Sequence, residues 1–278
     1  MGSARGTPAG DGGRAAEAVE LPLEVRRAAI ASQVAEEGFS RVADLAAGFG
    51  VSEVTLRSDL AALEEEGRLR RVRGGAVPLG GPFAEPSLER ALGDRAEAKQ
   101  AIGHLAAGLI ASGEALLLDV GSTTMAAARA LVARRELVDV TVVTNGLTIA
   151  LALEEAIPRI TVVVSGGTLR PLQHSLVDPL ADRVLSGVHA DTVLLGCNGV
   201  SAQHGVTNIN LPEAQMKRRL LAAASRRVVL ADATKVGAVS LAPLADAGVI
   251  DVLVTDADSD PDELDRLREL GVHVEVAR

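Results

Sequence analysis

The sequence predicts an α/β protein in two folded parts. The first spans 21–78 and consists of three helices and a two-stranded ribbon. The second spans 99–278 and is a larger α/β domain on a mostly parallel sheet. Two observations predict this division. Between 21 and 76, apolar residues recur at helical spacing and then give way to an arginine-rich ribbon closed by Gly74-Gly75. From 99 onward, short continuous apolar runs alternate with helical stretches, as expected of strands buried on both faces of a parallel sheet. Residues 79–98, with Gly80-Gly81-Pro82 and Pro86, are expected to be a linker with a short helix over 87–95. Residues 1–20 are Gly/Ala-rich and lack an apolar segment, so they are expected to be a flexible tail and not a signal segment.

In the first part, residues 21–37 form an amphipathic helix with Ile30 and Val34 on its core face. Ser40 is expected to cap a second short helix, VADLAAGF, which Gly48-Phe49-Gly50 terminates. Ser52 is the expected N-cap of a third helix, whose Leu56, Leu60 and Leu63 recur at i, i+4 and i+7. Gly67 is expected at the position just past its end. Arg68, Arg70, Arg71 and Arg73 follow within six residues. Short helices, a glycine turn, a third helix and a β-ribbon, in that order, make a winged helix-turn-helix. Such a unit lays its third helix in the major groove of DNA. The residues expected to face DNA are Ser52, Glu53, Thr55, Arg57 and Ser58 on the helix and the four ribbon arginines. Arg57 suits either guanine O6/N7 or a phosphate, and spacing does not choose between them. The ribbon arginines suit phosphate or the minor groove.

Bulk charge does not drive this reading. Residues 21–78 carry 8 Lys and Arg against 9 Asp and Glu, and the whole chain has a formal net charge of −9. A generic polyanion binder is therefore disfavoured, whereas a small DNA-reading module on an acidic body fits. The chain has no Trp or Tyr and only Phe39, Phe49 and Phe83, which excludes an aromatic base-stacking platform. A single cysteine, Cys197, excludes an intrachain disulfide and fits a reducing, cytoplasmic setting. No apolar run reaches the ~18–20 residues of a membrane span.

In the second part, strands are expected at 115–120, 138–144, 160–164, 191–197, 227–231, 251–256 and 272–276. Helices are expected at 99–111, 123–134, 147–155, 178–187, 212–225 and 261–270. Ligands of open parallel sheets bind beyond the carboxyl ends of the strands. Polar residues gather at those ends. Asp119, Gly121, Ser122, Thr123 and Thr124 offer an acid, a turn and hydroxyls at a helix start, the makings of an anion site or simply of a cap. Thr144 and Asn145 follow the second strand, Gly167 and Arg170 the third, and Asn198 the fourth. Glu213 and Lys217 stand at i, i+4 on a helix, as a surface ion pair or a ligand-facing pair. Asp232 and Lys235 follow a fifth strand. Cys197 is expected to be a small core residue. The five histidines show no metal-ligand spacing, and no nucleotide-binding or catalytic-triad motif is present, so no metal and no cofactor are expected.

ELPLEVRRAAI, ADLAAGFGVSEVTLRSDLAALEEEGRLRRVRGGA and LLLDVGSTT together resemble the DeoR type of transcriptional regulator, over nearly all of 21–278. The family signature T-I-R-R-D-L appears as Thr55-Leu56-Arg57-Ser58-Asp59-Leu60, with Ser58 in place of the second arginine. The resemblance implies a ribose-phosphate isomerase/CoA-transferase-like body whose GSTT loop holds a ligand phosphate and whose Glu-x3-Lys pair faces the ligand. It implies a repressor that binds double-stranded operator DNA, responds to a phosphorylated sugar or related metabolite, and associates with itself as a dimer or tetramer. The alternative is a sugar-phosphate isomerase-like enzyme with an accessory DNA-binding head, using Asp119, Asp232 or Glu213 as acid and base. A constitutive DNA-binding scaffold with a degenerate pocket is a third reading.

Overall fold

The computed structural model describes residues 22–37, 40–78, 85–177 and 180–278. The expected tail 1–20, Phe39, Phe83 and the Gly80-Gly81-Pro82 run lie outside them. The chain divides into two compact units between Ala84 and Glu85.

The small unit contains α1 (Leu23–Glu37), β1 (Ser40–Arg41), α2 (Val42–Phe49), α3 (Glu53–Glu65), β2 (Leu69–Val72) and β3 (Gly75–Pro78). One apolar core joins them: Ile30 and Val34 of α1, Leu45 of α2, Leu56, Leu60 and Leu63 of α3, Leu69 of β2 and Ala76 of β3. The Ser52 hydroxyl accepts from the Thr55 amide at 3.1 Å and caps α3. The other end closes in a Schellman motif: Gly67 N donates to Glu64 O and Arg68 N to Leu63 O, at 3.0 and 2.8 Å. Gly67 takes φ +67°, a left-handed turn that a Cβ would strain. Ser40 departs from expectation. It is a buried strand residue paired with Ala76, and Arg41 occupies the N-cap of α2 without a side-chain hydrogen bond. Pairing to β3 satisfies the backbone at Ser40 and turns the ribbon into a three-stranded sheet, β1-β3-β2.

The large unit begins at Glu85, so the second half of the expected linker belongs to it. Helix α4 (Leu88–Gly93) leads to α5 (Ala96–Gly108). The buried Lys99 Nζ donates to Ala91 O and Asp94 O, while Arg95 reaches Asp256 and Asp258 at 3.0 and 2.7 Å. The local Lys99 bonds and the long-range Arg95 pairs together hold a stretch that composition alone marks as a connector.

Seven parallel strands form the main sheet: β4 (Ala115–Leu118), β5 (Val140–Thr144), β6 (Ile160–Val164), β9 (Ala190–Gly196), β12 (Ala224–Leu230), β14 (Val252–Asp256) and β15 (His273–Ala277). Their order is β15-β14-β12-β9-β4-β5-β6. Both faces are covered. Leu116 and Leu118 pack with α5, α6 (Ser122–Ala133) and α7 (Leu147–Leu153). Leu117, between them, packs with α8 (Leu180–Leu185), α9 (Leu211–Ala222) and α10 (Pro261–Glu269). Period-two alternation along a continuous apolar strand thus feeds two cores. Two smaller sheets lay outside expectation: the hairpin β7 (Thr168–Arg170) and β8 (Ser175–Val177), and an antiparallel trio of β10 (Gly199–Ser201), β11 (Gly205–Asn208) and β13 (Ala242–Ala245). Their three- and four-residue strands are too short for a periodic signal.

Candidate DNA-contacting surface and effector site

In the small unit every residue expected to face DNA is exposed: Ser52, Glu53, Thr55, Arg57, Ser58, Arg68, Arg70, Arg71 and Arg73. The apolar stripe of α3 fixes this arrangement, because Leu56, Leu60 and Leu63 turn the opposite face outward. Arg57 pairs with Glu53 one turn back, Arg71 with Glu64 at 2.7 Å and Arg68 with Glu66 at 3.5 Å. Arg71 lowers the Glu64 carboxyl below its usual range through its side-chain and backbone hydrogen bonds. Such exposed pairs are screened by water, contribute little to stability and yield readily to phosphate. Arg70 and Arg73 form no ion pair among the described residues. The signature acid Asp59 does something different. It is buried and accepts from Arg26 Nε at 2.8 Å and Arg27 Nε at 3.1 Å. It locks α3 to α1 and so sets the angle at which α3 presents its outer face.

In the large unit the carboxyl ends of four neighbouring strands, β12, β9, β4 and β5, lie side by side. Leu118 is in register with both Leu194 and Thr144, and Leu230 with Gly196. Asp119 follows β4 and is fully buried. Its Oδ2 accepts from the Lys217 ammonium and from Gly196 N at 3.1 Å, while its Oδ1 has no partner. Burial pushes the Asp119 carboxyl up, against the pull of Lys217. Burial works to lower the Lys217 ammonium, but Asp119 and Glu213 outweigh it and hold that group above its usual value. Lys217 also donates to Gly196 O at 2.9 Å.

One turn earlier on α9, Glu213 accepts from Ser175 Oγ at 2.7 Å and from Arg170. Arg170 also donates to Glu85 at 2.6 Å. Burial pushes the Glu85 carboxyl up, partly offset by its Arg170 hydrogen bond, and the neighbouring Glu213 charge adds to the rise. Asn145, beside Asp119 on the next strand end, is 1 % exposed, and neither its Oδ1 nor its Nδ2 finds a partner. At the start of α6 the first helical bond is Met125 N to Gly121 O, which leaves the amides of Ser122, Thr123 and Thr124 available at the positive helix end. Together these groups offer amide donors, an ammonium, a guanidinium and unpartnered acceptors, a set suited to an anionic, hydroxylated molecule.

Not every expected residue converges on this network as a free group. Asn198 Oδ1 is occupied by Ile209 N at 3.0 Å and braces the turn between β10 and β11. Asp232 Oδ1 is held by Thr234 N at 3.0 Å and by the Thr234 hydroxyl at 2.5 Å. The Thr144 hydroxyl accepts from Gly146 N at 3.1 Å, and the Thr124 hydroxyl donates to Gly121 O at 3.0 Å. Gly167 serves the hairpin: a Cβ there would sit 2.4 Å from Val177 O. Burial pushes the Cys197 thiol up to about 12, although the Lys217 and Lys235 charges pull it down, so it is inert at neutral pH. Glu85 and Ser175 were not anticipated, since neither stands at the carboxyl end of a main-sheet strand. Among the described residues no group of three His, Cys, Asp or Glu is placed to hold a metal ion, and no helix is long and apolar enough to cross a membrane.

Two family models match the chain: the DeoR-like helix-turn-helix domain over residues 26–79 and the DeoR C-terminal sensor domain over residues 94–257. A putative aga operon transcriptional repressor of Escherichia coli O157:H7 is 35 % identical over 90 % of this chain and 92 % of that protein. The regulator GlpR of Haloferax volcanii is 33 % identical over 91 % and 97 %, and the repressor GlcR of Bacillus subtilis is 35 % identical over 74 % and 78 %. Ribose 5-phosphate isomerase A of Methanocaldococcus jannaschii is a distant likeness, with 18 % identity, 51 % of this chain and 55 % of that one, and a TM-score of 0.39. The relatives match in both the DNA-binding and the sensor part and are named as regulators, which sets aside the isomerase alternative. The chain belongs to the DeoR family of transcriptional regulators.

Proposed function

We propose that this regulator is a repressor released or tightened on its operator by a phosphorylated sugar or related metabolite, and that it acts as an oligomer presenting two heads to two half-sites. The observation that carries the effector reading is the pair of unpartnered buried groups at adjacent strand ends, Asp119 Oδ1 and the whole Asn145 amide. Buried polar groups without partners are rare in folded proteins and mark places where a ligand completes the hydrogen bonding. The Ser122–Thr124 amides and the Arg170 guanidinium offer donors to the effector's phosphate, while Asp119 and Asn145 read hydroxyls. Lys235, the Glu213/Lys217 pair and Arg170 complete the charge balance. Repression is supported by the relatives named as repressors.

Control follows from differential binding. An effector that prefers one arrangement of the assembly shifts the population toward it and changes the register of the heads on DNA. A hundredfold change in operator affinity requires only ~2.7 kcal/mol of coupling. The test is binding to DNA upstream of this protein's own gene at stated salt, with and without a panel of sugar phosphates. Specific binding changed by one of them supports the reading. Specific binding indifferent to all of them leaves a DNA-binding scaffold without this effector class.

A further inference from the structure

The Arg170 guanidinium is divided between two carboxylates. One fork meets Glu213, which Ser175 also serves at 2.7 Å, and the other meets Glu85 Oε2 at 2.6 Å. Both partners of this second contact are largely withdrawn from water, with side chains 17 % and 11 % exposed. Glu85 is the first residue of the large unit, directly after the stretch that joins it to the DNA-binding unit. Two further contacts hold the residues behind it to the β7–β8 hairpin. Pro86 O accepts from Gln173 Nε2 at 2.6 Å, and Glu89 lies 3.2 Å from His174 Nε2. Three contacts in five residues thus fasten the entry segment to the rim of the effector site.

We propose that Glu85 is an affinity-setting residue of the sensor: it occupies on Arg170 the seat that an anionic group of the effector takes, so that binding displaces residues 85–89 from the hairpin. This rests on the anionic-effector reading of the site given above. A guanidinium recognises carboxylate and phosphate with the same planar fork, so the two compete for one geometry. Glu85 is the replaceable partner. Its charge is held at a disadvantage by burial and by the neighbouring Glu213, whereas Glu213 keeps a second donor in Ser175. The exchange is reciprocal, because whatever strengthens the Glu85 contact weakens the ligand by the same factor. The segment that leaves the hairpin is the one that opens the large unit, next in sequence to the stretch that leads from the DNA-binding unit.

The experiment uses the full chain and inorganic phosphate as the probe. Calorimetric titration compares the wild type, Glu85→Gln, Glu85→Ala and Glu85→Gln/Arg170→Ala, and hydrogen exchange follows the amides of residues 88–93 in the wild type. The expected result is phosphate binding on the order of tenfold tighter in both Glu85 variants, with the gain lost when Arg170 is also removed. In the wild type, phosphate should speed exchange in α4. Equal phosphate affinity in the wild type and both Glu85 variants overturns the proposal and leaves the effector reading standing. Unchanged exchange in α4 at saturating phosphate overturns it without reference to any variant. Absence of phosphate binding in all four proteins removes the effector reading and the proposal together.

Discussion

The two units handle their polar functional residues in opposite ways. In the DNA-binding unit all nine candidate contact residues are exposed over a small apolar core. In the sensor unit Asp119, Thr124, Thr144, Asn145, Glu213, Lys217 and Asp232 are buried. The difference follows from the size of what each part meets. A duplex is approached by a convex surface that leaves charges hydrated until contact, so ion pairs such as Arg57–Glu53 are weak and exchangeable. A metabolite can be enclosed, and an enclosed site must satisfy its own charges before the ligand arrives. Function and stability are therefore separable in the head and entangled in the sensor.

Lys217 offers the largest test of that contrast. Lys217→Met leaves the fully buried Asp119 with only the Gly196 amide as donor, a loss of about 3–5 kcal/mol in sensor-unit stability. Denaturant unfolding should show it, and Asp119→Asn/Lys217→Met should recover more than half, because the stranded charge goes with its partner. A loss below about 1 kcal/mol for Lys217→Met would mean that Asp119 is not a buried charge and that the contrast is overdrawn.

Asp59 is the place where the head behaves like the sensor. Asp59→Ala removes a 2 % exposed carboxylate from Arg26 and Arg27 and should destabilise the head by about 2 kcal/mol. Both arginines reach water more easily than Lys217 does, which keeps the loss smaller. DNA binding should weaken equally on all sequences, following the unfolding. A loss confined to one base pair would instead make Asp59 a reading residue.

How far each site was legible follows the same division. The N-cap Ser52, the Leu56-Leu60-Leu63 stripe and the Gly67 stop are signals within one helix, and the structure realises each of them. The polar ends of the apolar runs likewise place Asp119, Asn145 and Asp232 at the carboxyl edge of the sheet. Contacts between distant residues left no such trace. Asp59 meets arginines 32 and 33 positions away, and Glu85 meets Arg170 across 85 positions. Ser40 carried a sound local capping signal, yet pairing with Ala76 overrode it. Gly167 stands beyond the third strand, where either a ligand approach or a chain turn calls for glycine, and there it admits the carbonyl of Val177.

Arg57 sharpens the head side of the comparison. Arg57→Ala should cost about 1–3 kcal/mol in binding to a preferred operator and relax the preference at one base pair. Head stability should stay within about 0.5 kcal/mol, since the pair it gives up is exposed. A uniform loss on every sequence, with a shallower salt dependence, would assign Arg57 to phosphate. Unchanged affinity would remove α3 from the recognition role.

The most diagnostic effect, a small one of opposite sign, belongs to Asn145. Its side-chain amide is buried with both polar atoms unpartnered by protein groups, so the folded protein carries a desolvation cost that a hydrogen-bonding ligand relieves. Asn145→Leu keeps the number and branching of the side-chain heavy atoms and removes that cost. The sensor unit should gain about 1 kcal/mol in denaturant unfolding while sugar-phosphate binding and the operator response to it are lost. A variant that is both more stable and unresponsive is what a site held open for a ligand must give. If stability falls instead, Asn145 is a structural residue and the hydroxyl-reading role passes to Asp119 alone.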